Sequence, residues 1–174
     1  MRKVAQPVAC LTIPRADQAS SDDDATDIHA HGATLSSLSS VSLEPPLIAF
    51  SMRLPSRIAS FLHSPVATRS PFRVYLLSDG QQDIAQSFAR QLPANESRTV
   101  LIKRLEKESL GYLLCKPVQS FDLSKLTLDQ KHDIASKETG QSGSALFIAQ
   151  VLDIVNSSKH GSLAWWEHQY KLVR

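Results

Sequence analysis

The residues best suited to chemistry lie in one run, Thr34 to Ser42 (TLSSLSSVS), which holds six hydroxyl side chains around Leu35, Leu38 and Val41. The apolar residues can anchor a loop while hydroxyls and backbone N–H groups face outward. Such a surface suits a phosphate or a flat heteroaromatic ring rich in acceptors. The run lacks the glycines of a Walker loop or a dinucleotide fingerprint. The bland reading is a Ser-rich linker, and the strand that follows Glu44-Pro45-Pro46 weighs against it. A second segment, Arg53-Leu54-Pro55-Ser56-Arg57, offers guanidinium forks, a hydroxyl and a helix start, the groups that a phosphate takes. Taken alone, the two arginines would be read as surface ion-pair partners.

Other constellations carry less. Asp22, Asp23 and Asp24 with His29 and His31 could bind a divalent metal, since a His-x-His pair on a strand shares one face. No further ligand is spaced to fix a geometry, so a solvated acidic loop is the better reading, with His31 beside the hydroxyl-rich loop or at the surface. Trp165, Trp166 and Tyr170 form an aromatic cluster suited to core or interface packing. GQSGS is not a nucleophile elbow, because its last spacing is wrong. Cys10 and Cys115 each sit in an apolar run and read as buried free thiols.

The elements that must position these residues follow from hydrophobic spacing. Val8 to Ile13 reads as a strand, and residues 15–27 as a polar acidic surface loop. Pro45 and Pro46 impose extended backbone before the buried strand LIAFSM. Residues 55–62 read as a helix with Ile58, Phe61 and Leu62 on one face. Phe72 to Leu77 reads as a strand. The following helix is capped by Ser78 or Asp79, carries Ile84, Ala85, Phe88 and Leu92 as its stripe, and is ended by Pro93. Val100 to Leu105 and Gly111 to Val118 read as strands or strand–turn pieces. A short helix with a Thr127–Gln130 capping box comes next. Ala145 to Val155 is a long strand, and residues 163–173 read as one closing strand. Strands outnumber helices and no βαβ rhythm appears, so the fold class is mainly β, an antiparallel barrel with a few helices.

Composition bounds the rest. The chain has 174 residues, 42% of them hydrophobic, enough for one ordinary core. One domain over residues 1–174 is expected. The formal net charge is +2, with no dense basic run, which gives nucleic-acid binding little support. No apolar run approaches the length of a membrane span. The N-terminal segment lacks a secretory h-region, and Pro7 and Pro14 oppose a helical presequence. The cytoplasm is the expected compartment, with the mitochondrion as the alternative.

The run HGATLSSLSSVSLEPPLIAFSM resembles the signature of the flavin reductase-like family. SMRLPSRIASFL, FRVYLLSDGQQDIAQSFA, ALFIAQVLDI and SLAWWEHQYKL are similar to later pieces of the family, in its order. The resemblance implies a six-stranded FMN-binding split barrel of Greek-key type, usually a homodimer with the flavin near the subunit interface. It places the isoalloxazine against the loop from Thr34 through Leu35 to Val41. Backbone groups, Thr34, Ser36 and Ser37 would hold the ring. Ser39 and Ser40 would sit toward the ribityl and phosphate, and Ser51, Arg53, Ser56 and Arg57 would complete the phosphate site. The implied activity is hydride transfer from NADH or NADPH to FMN, with FAD as the other candidate flavin, and a monooxygenase as a partner for the reduced flavin. Many family reductases carry Gly-Asp-His before the late strand. This chain has Ser142, Gly143 and Ser144 there, which keeps a second reading open: a flavin-binding or split-barrel dimer protein without nicotinamide turnover. A related barrel that binds another ligand such as haem is a third. The segments 64–71, KRLEKES and LTLDQKHDIASK also depart from the family pattern.

Overall fold

Alternation of apolar residues builds a main sheet around one core, and a second core forms where a strand is apolar on both faces. The fold is seen in a computed structural model that describes residues 6–14, 29–89, 98–126, 143–157, 161–166 and 169–173. Strands β1 (Gln6–Pro7), β2 (Ala9–Pro14), β3 (His29–Leu35), β4 (Ser39–Leu43) and β5 (Pro46–Arg53) come first. Helices α1 (Arg57–His63) and α2 (Pro65–Arg69) lead to β6 (Phe72–Leu76), and α3 (Gln82–Phe88) and α4 (Arg98–Glu108) to β7 (Gly111–Asp122). β8 (Ser144–Asn156), β9 (Ser162–Trp166) and β10 (Gln169–Val173) close the chain.

Seven strands form one sheet in the order β3-β2-β6-β7-β8-β5-β4, and β1-β9-β10 form a smaller one. All pairings are antiparallel. The chain crosses from β5 to β6 through α1 and α2, and β8 returns to lie beside β5. This is the mainly β barrel architecture expected, with seven strands in the main sheet rather than six.

On β5, Ile48, Phe50 and Met52 turn inward against Ala145, Phe147, Ala149 and Val151 of β8. Phe50 stacks on Phe147 with ring centroids 5.7 Å apart. β2 is buried on both faces. Ala9, Leu11 and Ile13 enter this core. Val8 and Cys10 enter a second core with Tyr75, Ile84, Ala85, Phe88 and Leu105. That is why residues 8–13 read as a nearly continuous apolar run, with Thr12 its one polar residue. Gly111 opens β7 at φ +148°, where a Cβ would collide with the Val155 carbonyl, so only glycine brings β7 this close to β8.

Three expectations are corrected. Residues 98–108 are helix, not strand: Leu101, Ile102 and Leu105 recur on one face and pack on the second core. Residues 162–173 form a hairpin of two strands, not one closing strand. The residue before the first turn of α3 is Gln81, not Ser78 or Asp79. Ser78 instead bridges to Ser162, and its N–H donates to Gln81 Oε1 at 3.0 Å. The segment from Ser64 to Pro71 that departs from the family pattern holds α2. The acidic loop, Leu92, Pro93 and the helix with the Thr127–Gln130 box lie outside the described residues, as do the side chains of Trp165 and Trp166.

Candidate functional site

Strand edges place the site. Among the described residues β3 pairs with β2 alone, so its other edge has no strand partner there. β5 pairs with β8 along Leu47–Arg53, but with β4 only through Ala49. Among the described residues, 50–53 therefore also present an edge without a strand. These two edges flank a cavity of about 690 Å³. Backbone N–H and C=O groups along such edges that no side chain takes are available to a ligand.

Of the residues singled out from the sequence, Thr34, Leu35, Ser36, Ser37, Ser51, Arg53, Ser56 and Arg57 line this cavity. Ser39, Ser40 and Val41 do not; they are exposed on β4, beyond the bend that follows β3. His31 also lines the cavity, with Gly32, Ala33, Met52, Pro55, Ile58, Phe88, Ala89 and Ser144. Ser144, the last residue of the stretch that stands in place of Gly-Asp-His, is part of the cavity wall. Beside it, the Leu54 N–H donates to the Gly143 carbonyl at 2.7 Å.

Several of the hydroxyls already have partners. The Ser51 N–H donates to Ser37 Oγ at 2.9 Å and Ser51 Oγ to Ser37 Oγ at 3.0 Å, while Ser37 Oγ donates to the Ser51 carbonyl at 3.3 Å. Ser37 thus does for the open edge of β5 what a neighbouring strand would do. Thr34 Oγ1 donates to the Ala85 carbonyl of α3 at 2.6 Å. That leaves the Cys10 thiol as donor in its 3.9 Å contact with Thr34 Oγ1. Ser56 Oγ accepts from the Ala59 N–H at 3.5 Å and caps α1. Ser36 is exposed, as are Arg53 and Arg57.

The electrostatics are one-sided. The described lining holds His31, Arg53 and Arg57 and no carboxylate, so the cavity favours an anionic ligand. Burial pushes the Cys10 thiol up to about 12, against a smaller opposing effect of its contact with Thr34. Cys10 is therefore not a nucleophile at neutral pH. Among the described residues no group of three His, Cys, Asp or Glu could hold a metal; the aspartates of the acidic loop lie outside them. What the cavity can do is hold a flat, phosphorylated molecule between two strand edges. The sequence signal missed Phe88 and Ala89 as wall residues, because only tertiary packing brings the end of α3 to β3.

The family profile described as "Flavin reductase like domain" matches residues 1–174. No curated protein matches the sequence. Among solved structures, the flavin reductase PheA2 is 21% identical with a TM-score of 0.66, over 100% of this chain and 94% of that one. The styrene monooxygenase flavin reductase from Pseudomonas putida is 18% identical with a TM-score of 0.65, over 99% of this chain and 94% of that one. The NADH:FAD oxidoreductase SgcE6 from Streptomyces globisporus, solved with NAD and FAD fragments, is 15% identical with a TM-score of 0.62, over 97% of this chain and 86% of that one. At these identities the likeness is one of fold.

Proposed function

The chain belongs to the flavin reductase-like domain family, and from that premise we propose that its cavity binds FMN and that the protein passes a hydride from NADH or NADPH to that flavin. The observation that carries the reading is the seam between β3 and β5, with two guanidinium groups and no carboxylate in its described lining. Its volume falls within the roughly 300–1,000 Å³ of small-molecule sites. When bound, the flavin supplies the redox chemistry. The chain's own residues bind and orient it. Arg53 and Arg57 take the phosphate with Ser56, while Ser36 serves the ring. The open edge of β3 presents backbone donors and acceptors to the ring, and Leu35 backs it. The Ser37–Ser51 bonds hold the two walls at fixed separation. No acid–base pair is needed from the protein. FMN is favoured over FAD because the arginines suit a terminal phosphate. Ser39, Ser40 and Val41 reach the ligand in this reading only by way of the β4 face.

The working unit is proposed to be a homodimer of single-domain chains. Ser51 and Arg53 share a face of β5 with Leu47 and Ala49, and Leu146, Ile148 and Phe121 continue that face across β8 and β7. An uncovered apolar face beside the cavity would let a second copy complete the site. SgcE6 is by name an NADH:FAD oxidoreductase and the Pseudomonas protein is the reductase of a styrene monooxygenase. By analogy, reduced flavin from this chain would serve a monooxygenase. No described helix is long and apolar enough to cross a membrane, and two buried free thiols suit a reducing compartment such as the cytoplasm.

The test is an absorbance spectrum of the purified protein with FMN, followed by NADH and then NADPH under anaerobic conditions. Bound-flavin absorbance that bleaches supports the reductase. Binding without bleaching by either nucleotide supports the second reading, a flavin-binding protein without nicotinamide turnover. That reading has one observation in its favour: Ser144 stands on the cavity wall where the family places a histidine.

A further inference from the structure

Helix α3 reaches the cavity with its last turn only. Ile84 and Ala85 are buried in the core around Cys10 and Tyr75, while Phe88 and Ala89 line the cavity. Two features of β3 fix that turn. Thr34 Oγ1 donates to the Ala85 carbonyl at 2.6 Å. At Gly32 a Cβ would overlap the edge of the Phe88 ring, so glycine is what lets the ring lie on the strand. Gly32 and Thr34 stand two apart on β3, opposite Thr12 and Cys10 of β2, and so share one face. The Ala85 carbonyl also accepts the Ala89 N–H at 3.0 Å. The helix therefore does not need Thr34 to satisfy that group, and what the Thr34 bond adds is placement.

We propose that Phe88 is the apolar contact that seats the flat ring of the bound ligand, and that Thr34 is a positioning residue that sets Phe88 through α3. The inference rests on the flavin reading above. Phe88 is 7% exposed and lines the cavity, so what it offers the ligand is a small apolar surface on a ring held by packing. An apolar contact of this kind acts on the isoalloxazine, which riboflavin and FMN share. A guanidinium contact acts on the phosphate, which only FMN carries. The two roles separate by ligand.

The experiment titrates riboflavin and FMN into the wild-type chain, Phe88→Leu, Thr34→Val, Thr34→Ser, Gly32→Ala and the Gly32→Ala/Phe88→Leu pair, with thermal melts alongside. Phe88→Leu is expected to weaken both flavins by the same factor, about three- to tenfold. Thr34→Val should produce an equal loss for both and shift the bound-flavin absorbance, and Thr34→Ser should restore both. Gly32→Ala should weaken binding through the displaced ring, and adding Phe88→Leu should recover part of the loss. Unchanged affinities in Phe88→Leu and Thr34→Val, or losses confined to FMN, overturn the inference while leaving the flavin reading in place. If Phe88→Leu does not fold, the Thr34→Val and Thr34→Ser pair decides. A wild-type chain that binds neither flavin overturns both.

Discussion

Ser37 and Ser51 join the two walls of the cavity through one oxygen: Ser37 Oγ stands 2.9 Å from the Ser51 nitrogen and 3.0 Å from Ser51 Oγ. A single hydroxyl thus meets the backbone N–H of an edge that has no strand beside it among the described residues. Ser37→Ala removes the shared acceptor and leaves that N–H to solvent or nothing. The expected cost is about 1–2 kcal/mol of stability, with weaker FMN binding because the seam loosens. Chemical denaturation and a flavin titration of the variant check this; an unchanged midpoint with unchanged affinity would show that the clasp holds nothing.

Arg53 lines the cavity from the last residue of β5 and is exposed. Assigned to the phosphate, it should discriminate between ligands. Arg53→Ala is expected to weaken FMN about tenfold or more, the worth of a charge-assisted bond, and riboflavin far less. Parallel titrations of the two ligands decide. Equal losses would remove Arg53 from the phosphate site.

Much of this site was legible in the sequence because its residues are close along the chain. Thr34 to Ser37 and Ser51 to Arg57 flank one hairpin, and hydroxyls with arginines there read directly as ligand groups. The assignment of individual hydroxyls was less legible. Nothing local tells that Thr34 turns to Ala85, 51 residues on. Phe88 read only as core stripe, which it also is. The bend after β3 puts Ser39 to Val41 on β4 rather than in the cavity, and no proline or glycine marks that bend. Helix α4 was misread because Val100-Leu101-Ile102 has strand-like composition, and tertiary packing of Leu101, Ile102 and Leu105 decides otherwise. β9 ends at Trp166 and β10 begins at Gln169, and no Gly, Pro, Asn or Asp stands between them in the sequence to signal a turn.

The buried thiols make stability fall in alkali. Burial pushes Cys10 and Cys115 from 9.0 up to about 12, and desolvation raises Tyr75 from 10.0 to about 12. For each group the folded state holds its proton more tightly than the unfolded chain. Their contribution is fully present below pH 9 and is lost as pH rises from there toward 12. Each thiol contributes up to about 1.4 kcal/mol per pH unit to the slope. Melting temperatures measured from pH 8 to pH 11 should decline, and Cys115→Ala, although less stable at pH 7, should decline less steeply. Parallel slopes for variant and wild type would show that the Cys115 thiol does not couple to unfolding.

The outer face of β5, β8 and β7 carries the remaining prediction. Leu146 pairs across β8 with Ser51 on one side and Phe121 on the other, and Ile148 pairs with Ala49. Phe121 is 43% exposed, and in a monomer this row would meet water. Ser51, which belongs to the cavity lining, lies in the same row, so a second copy seated here would stand at the cavity rim. Phe121→Lys puts a charge into the proposed contact, where burying it unpaired costs several kcal/mol. The variant is expected to sediment as a monomer at concentrations where the wild type is a dimer, and to bind FMN more weakly. Val66→Lys, on α2 and 53% exposed, should change neither property. A wild-type chain that sediments as a monomer would remove the dimer, and a Phe121→Lys dimer would move its interface to another face.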